Sequence, residues 1–210
     1  IKSLISFEIN SKPDKILKIK SLKSTFENCE SLESLNISNV NTSLVTSLHK
    51  FLYKTHLINF DFIGINTENV EDMSFLFAES FIEGINFNAA TFKTNKVYNM
   101  SNMFANCNSI QRVDLSNFVT DNVIDMSYMF YQCESLSRLF LENFNTSKVI
   151  NMSHMFEECI LLQLIEHKFD TREVKDMSYM FSDCGSLSRL DVSNFNKEKV
   201  TTIAYMFNFC

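Results

Sequence analysis

The sequence repeats itself about every 26 residues. One apolar residue opens each repeat, and successive openings are 25 to 27 residues apart: Ile19, Val45, Val70, Val97, Val123, Val149, Val174 and Val200. A unit this short cannot bury its apolar side alone and needs copies of itself above and below. The period therefore predicts a solenoid, in which each coil contacts its neighbours and the whole array is one body.

The unit that begins at Val123 shows the pattern most clearly. Its first half has apolar residues at i, i+3, i+4 and i+7, a spacing that predicts one face of a short helix: Met126, Met129, Phe130 and Cys133. Its second half has the spacing L-x-x-L-x-L-x-x-Φ, which predicts a short strand with inward-pointing side chains: Leu136, Leu139, Leu141 and Phe144.

The predicted fold is a right-handed α/β leucine-rich-repeat solenoid with one short helix and one short strand per coil of about 26 residues. Its parallel sheet forms the concave face. The array spans residues 1–210 as one domain, with full units beginning at 19, 45, 70, 97, 123, 149 and 174 and partial units at 1–18 and 200–210. Because the chain begins at Ile1 and ends within a unit, we expect it to be a piece of a longer protein.

The units differ in how well they keep the pattern. The strand of the third unit, which contains Gly84, is poor in large apolar residues, so we expect looser packing there. The fourth and fifth units look regular. In the sixth unit the spacing would point Glu166 inward, and since an unpaired buried carboxylate is costly, we expect Ile165 to take that place.

All six cysteines fall at one position of the unit, beside the apolar helix residues. We expect buried free thiols, because a metal site or disulfide set would show paired spacing such as C-x-x-C. An Asp or Asn precedes the first Met of each predicted helix, where its side chain would cap the first turn: Asp72, Asn99, Asp125, Asn151 and Asp176. One such residue per coil offers too few oxygens for calcium.

Composition argues against several functions. With 19 basic and 25 acidic residues the net charge is −6, unlike a general nucleic-acid or anionic-membrane binder. The sequence has no run of 18 apolar residues, so we predict no membrane span in this segment. The four histidines lie at different unit positions without ligand spacing: His49, His56, His154 and His167. We therefore predict no enzyme, no cofactor and no metal site.

Binding surfaces are better candidates. Residues between the inward-pointing strand positions face the concave side. There an exposed aromatic residue flanked by arginines predicts a protein- or peptide-binding patch: Arg112, Arg138, Phe140, Gln163 and Arg189. The alternative is a face that serves solubility only. A second column would lie half-buried between helices or against a partner chain: Phe75, Asn102, Tyr128, His154, Tyr179 and Tyr205.

The repeat resembles the BspA-like leucine-rich repeats of bacterial, mycoplasma and protist surface proteins. The likeness covers residues 19–210 and is carried by these residues of one unit: Val123, Asp125, Met126, Ser127, Met129, Phe130, Cys133, Ser135, Leu136, Leu139, Leu141, Asn143, Phe144, Asn145 and Thr146. It implies a cell-surface or secreted protein with a role in adhesion or host contact, and a protein or peptide as partner. The alternative is a cytoplasmic structural subunit that docks lengthwise into a larger assembly.

Overall fold

A computed structural model describes residues 3–12 and 14–210. Eight short strands are β1 (Ser6–Asn10), β2 (Leu17–Lys18), β3 (Ser34–Ser38), β4 (Val40–Asn41), β5 (Asn59–Asp61), β6 (Gly84–Asn86), β7 (Arg138–Leu141) and β8 (Leu164–His167). They pair in parallel as β1 with β3, β2 with β4, β5 with β6 and β7 with β8. Each pair joins equivalent segments of neighbouring coils.

A second line of parallel bridges runs along another side of the stack. It joins residues of the predicted Asp/Asn position and their equivalents: Ser47, Asp72, Asn99, Asp125, Asn151, Asp176 and Thr202. Each of the six steps crosses to the next coil, so the chain makes six turns between the first and the last of these residues. The predicted solenoid is confirmed.

The predicted helix in each coil is wrong, because the described residues contain no α-helix. In the coil that begins at Val123, the Met129 N–H donates to the Met126 carbonyl at 3.3 Å, which closes a four-residue turn. The intervening Tyr128 N–H donates instead to Ser153 of the next coil at 3.0 Å. Backbone donors that would lie inside a helix therefore point along the solenoid axis.

Backbone dihedral angles explain the difference. Tyr128 and Gln132 have φ values of 58° and 54°, in the left-handed region that an α-helix excludes. Equivalent residues of the other coils share this conformation. Two consecutive four-residue turns also bring i, i+3, i+4 and i+7 to one side. Asp125 Oδ1 does accept a backbone N–H, that of Ser127 at 2.9 Å, but it closes an Asx turn and caps no helix.

The predicted apolar columns line a common core. Rings of one column stack nearly parallel, with centroids of Phe104 and Phe130 5.3 Å apart and of Phe130 and Phe156 5.7 Å apart. Five of the six cysteines are buried, as predicted, but Cys210 is exposed. The Cys133 thiol donates to the Phe104 carbonyl one coil back at 3.1 Å. Burial raises the pKa of this thiol, which keeps it protonated and able to donate.

A column of buried threonines is a feature for which the sequence analysis predicted no role. Six of them, each 1% exposed, lie three residues before the opening apolar residue of a unit: Thr42, Thr67, Thr94, Thr120, Thr146 and Thr171. The Thr94 hydroxyl donates to the Val119 carbonyl at 2.9 Å and accepts the Val119 N–H at 2.7 Å. One side chain thus satisfies both backbone groups of a residue in the next coil.

Irregularity falls in a different coil from the one expected. The third unit forms β6, and its Phe87 and Phe92 are buried. The fourth unit, expected to be regular, has no strand between 110 and 117. The expected shift in the sixth unit is confirmed, since Ile165 is buried and Glu166 is not.

One core position of the sixth unit is polar. His167 lies in register with Leu141 on the neighbouring strand, and its ring stacks on Phe169 at 4.3 Å. Its Nδ1 accepts the Phe169 N–H at 3.3 Å, and its buried Nε2 has no hydrogen-bond partner among the described residues. Burial lowers the pKa of His167, against the opposing attraction of Asp191.

The Thr94 hydroxyl can be tested directly. Thr94→Val keeps the shape of the side chain but leaves both backbone groups of Val119 without a partner, so we expect the free energy of unfolding to fall by about 1–3 kcal/mol. Thr94→Ser, which keeps the hydroxyl, is the control, and its free energy of unfolding should fall by less. Urea denaturation of both variants measures the difference, and equal losses would contradict the role of the hydroxyl.

Acidification should weaken the fold through His167. Because its folded-state pKa is lowered, the unfolded chain binds the proton more readily, and stability falls as pH drops through about 6.5 and below. His167→Leu, which copies Leu141, should raise the melting temperature. It should also reduce the difference between the melting temperatures measured at about pH 7 and at about pH 5. His56→Leu at an exposed histidine is the control. An unchanged pH difference in His167→Leu would exclude this residue as its source.

Candidate binding site on the strand face

Exposed side chains of the strand segments form the surface that we call the strand face. Arg138 pairs with Leu164, which is bridged in turn to Arg189, so these three residues form a column. The Ser137 N–H donates to the Gln111 carbonyl at 3.2 Å, and this bond places Arg112 beside Arg138. Phe140 lies two residues further along β7 and is 56% exposed.

The strand side is interrupted between β3 and β5, and again in the fourth coil. No backbone hydrogen bond joins the described segment 112–114 to a neighbouring coil on either side. Consequently β6 pairs with β5 alone and β7 pairs with β8 alone. Val113 and Ile85 are only partly buried, whereas the equivalent Leu139 is 1% exposed. Residues that point inward and are buried elsewhere are therefore partly uncovered at this interruption.

A groove of about 1040 Å³ lies over this interruption. It spans three coils and is lined by residues of β6, of the unpaired segment and of β7, including Gly84, Val113, Arg112, Arg138 and Phe140. Gly84 lines the groove, and a Cβ at this position would collide with the side-chain amide of Asn59 on β5, so its missing side chain makes room for Asn59. The groove thus combines an aliphatic floor, an exposed aromatic ring and two guanidinium groups.

The arginines of the strand face are not neutralised by any residue that the structure describes. Among the described residues, no carboxylate lies within 4.0 Å of the guanidinium nitrogens of Arg112, Arg138 or Arg189. Asp114 instead accepts the Ser116 N–H at 2.9 Å, and this bond lowers the pKa of the carboxyl. Like charges on adjacent strands repel each other. The column therefore favours an external anion over an intramolecular partner.

The structure brings together three of the five predicted site residues. Arg112, Arg138 and Phe140 line one groove, and Gln163 and Arg189 lie outside it. Gln163 is exposed but precedes β8, level with Ser137, and the outward-facing position of that strand belongs to Leu164. The one-residue shift that buries Ile165 explains this displacement.

Sequence reasoning missed the unpaired segment itself. Val113, Asp114 and Leu115 keep the leucine-rich spacing, so the pattern gave no sign that the ladder breaks there. The only unusual neighbour was Gly84, which we associated with loose packing of its own coil.

The second predicted surface is a stacked column. The rings of Tyr128, His154 and Tyr179 lie 4.3 and 4.8 Å apart and nearly parallel, and Tyr205 continues the stack at 4.9 Å. The residues are partly buried except Tyr205, and all lie on left-handed turns, so the predicted packing between helices is corrected to packing between turns. Because the ring faces cover each other, the inner rings of the stack offer only their edges to a partner, whereas Tyr205 at its end is exposed.

No group of three or more His, Cys, Asp or Glu side chains in 3–12 and 14–210 is arranged to hold a metal ion. In the same residues, no helix has the length and apolar character required to cross a lipid bilayer.

Comparison with solved structures identifies the class as leucine-rich-repeat protein. A leucine-rich repeat protein from Eubacterium ventriosum superposes with a TM-score of 0.54 at 15% identity, over 97% of this chain and 64% of that chain. The present chain thus spans less than two thirds of that relative. A leucine-rich repeat protein from Bacteroides ovatus gives a TM-score of 0.30 at 16% identity, over 89% and 66% of the two chains.

The family follows from the sequence match. The model of the family described as Mycoplasma protein of unknown function, DUF285, matches residues 20–144 and 138–210. The chain belongs to this family, one of the BspA-like leucine-rich-repeat families, and the predicted resemblance is confirmed. No curated protein matches the sequence significantly.

Proposed function

We propose that the chain is a non-catalytic recognition module of a cell-surface or secreted protein, which binds a protein or peptide through its strand face in adhesion or host contact. The observation that carries the proposal is Phe140, a large ring more than half exposed beside two arginines that form no ion pair with any described residue. Aromatic residues and arginine are the side chains that most often dominate binding energy at protein interfaces. Membership in a family of repeat proteins supports the same proposal.

The groove supports recognition rather than catalysis. Its polar lining consists of two arginines, three carboxylates, Ser116, Ser137 and Asn143, and no described cysteine or histidine lines it. Catalysis requires a nucleophile or general base placed against a reacting atom. An exposed anchor ring between charged groups instead provides contact area and charge complementarity.

A random dodecapeptide library displayed on phage tests the proposal. Panning on the chain should enrich peptides that fail to bind Arg138→Ala/Phe140→Ala, because this variant removes the ring and one cation from the groove. The matched control is Phe81→Ala/Lys175→Ala, which removes an aromatic side chain of equal exposure, 55%, and one exposed cation outside the groove. Enriched peptides should bind this control as they bind the original chain.

Thermal denaturation must accompany the binding measurement. Both double variants alter exposed side chains, so their melting temperatures should lie within a few degrees of the original. Absence of enriched peptides, or equal binding to Arg138→Ala/Phe140→Ala, would contradict binding through this groove. Loss of binding in Tyr128→Ala/Tyr179→Ala alone would favour the alternative, a structural subunit that docks lengthwise. Its contact would then lie on the turn side, the surface that carries the stacked column of Tyr128, His154 and Tyr179.

A further inference from the structure

We infer that the ligand of the groove is an extended peptide segment with acidic side chains, whose main chain hydrogen-bonds to the unpaired segment 112–114; this inference rests on the proposed function. It concerns what the groove recognises, and three features of the fourth coil point to it. They are the free backbone groups, the arginine pair and the uncovered aliphatic floor.

The backbone of the unpaired segment is the first feature. Each of the other described strand segments is joined to a neighbouring coil on at least one side, even where β3 and β5 do not pair with each other, but 112–114 is joined on neither side. The facing edges of β6 and β7 also lack a strand partner. Unpaired edges present alternating N–H and C=O groups, and the complement of such an edge is another extended backbone. Peptides bind sheet edges in this way.

The arginine pair selects the side chains. Arg112 and Arg138 project from neighbouring coils at equivalent positions and line the same groove without an ion-pair partner. Guanidinium groups bind carboxylates through paired, charge-assisted hydrogen bonds. In an extended peptide, alternate side chains lie on one face, so a glutamate or aspartate on the outward face and level with the arginine column would reach both arginines.

The rim limits where those acids can lie. Glu83, Asp114 and Glu142 also line the groove and would repel a carboxylate placed next to them. The acidic side chains must therefore lie on the same side as the arginine column, while the opposite face of the peptide covers Val113 and Ile85. An alternation of acidic and aliphatic residues meets both requirements, and a uniformly acidic peptide does not.

The probe is an acetylated and amidated nonapeptide with alternating valine and glutamate, labelled for fluorescence anisotropy. It should bind the chain, and its affinity for Arg112→Ala/Arg138→Ala should be at least about tenfold lower. The control variant Lys175→Ala/Lys197→Ala removes the same number of positive charges from exposed positions outside the groove. It should bind the probe as the original chain does. A second probe replaces each glutamate by glutamine and should lose affinity for the original chain by a similar factor.

Main-chain recognition needs its own measurement. A third probe carries N-methyl groups on alternate residues, which remove the donors along one edge and should abolish binding. When the first probe is bound, backbone hydrogen exchange should slow in the proteolytic fragment of the chain that covers 110–117, and not in the fragment that covers 136–142. Equal affinity of the methylated or glutamine probe, or no binding of the first probe, overturns the inference. If panning still yields groove-dependent peptides, the proposed function stands without it.

Discussion

Hydrogen bonds between equivalent backbone groups of successive coils are the interaction on which the whole structure depends. On the turn side, alternate N–H groups such as those of Tyr128 and Phe130 donate to the next coil at 3.0 and 2.9 Å. These bonds hold the repeat at nearly constant length, because an added residue would displace every following donor. Columns of identical side chains then stack as a consequence of this register.

Keeping that register places unusual demands on the backbone. Bulky residues such as Tyr128 and His154 adopt left-handed φ values near 58° that cost about 1–2 kcal/mol each for non-glycine residues. Stacking of their rings at 4.3 Å and the bonds of their N–H groups to the next coil offset this cost. The buried threonine and cysteine side chains complete the arrangement by bonding backbone groups that the turns leave free.

The interruption in the fourth coil gains its significance from this regularity. The turn side continues through that coil, with Asn99 bridged to both Asp72 and Asp125 and the phenylalanine rings stacked. Only the strand side opens. The scaffold can therefore leave one strand segment unpaired without losing its core, and the free segment lies beside the arginines and the exposed ring of Phe140. A binding site formed in this way is positioned by rigid neighbours on both sides.

Side-chain spacing alone determined the period, the buried columns and the shifted register around Ile165, because burial of apolar residues depends on which side each side chain points to. It also singled out Arg112, Arg138 and Phe140 as neighbours. The choice between helix and turn, and the break at 112–114, depended on which carbonyl each backbone N–H reaches. Residues four positions apart and residues one coil apart offer equivalent acceptors, so only the stacked tertiary structure decided between them.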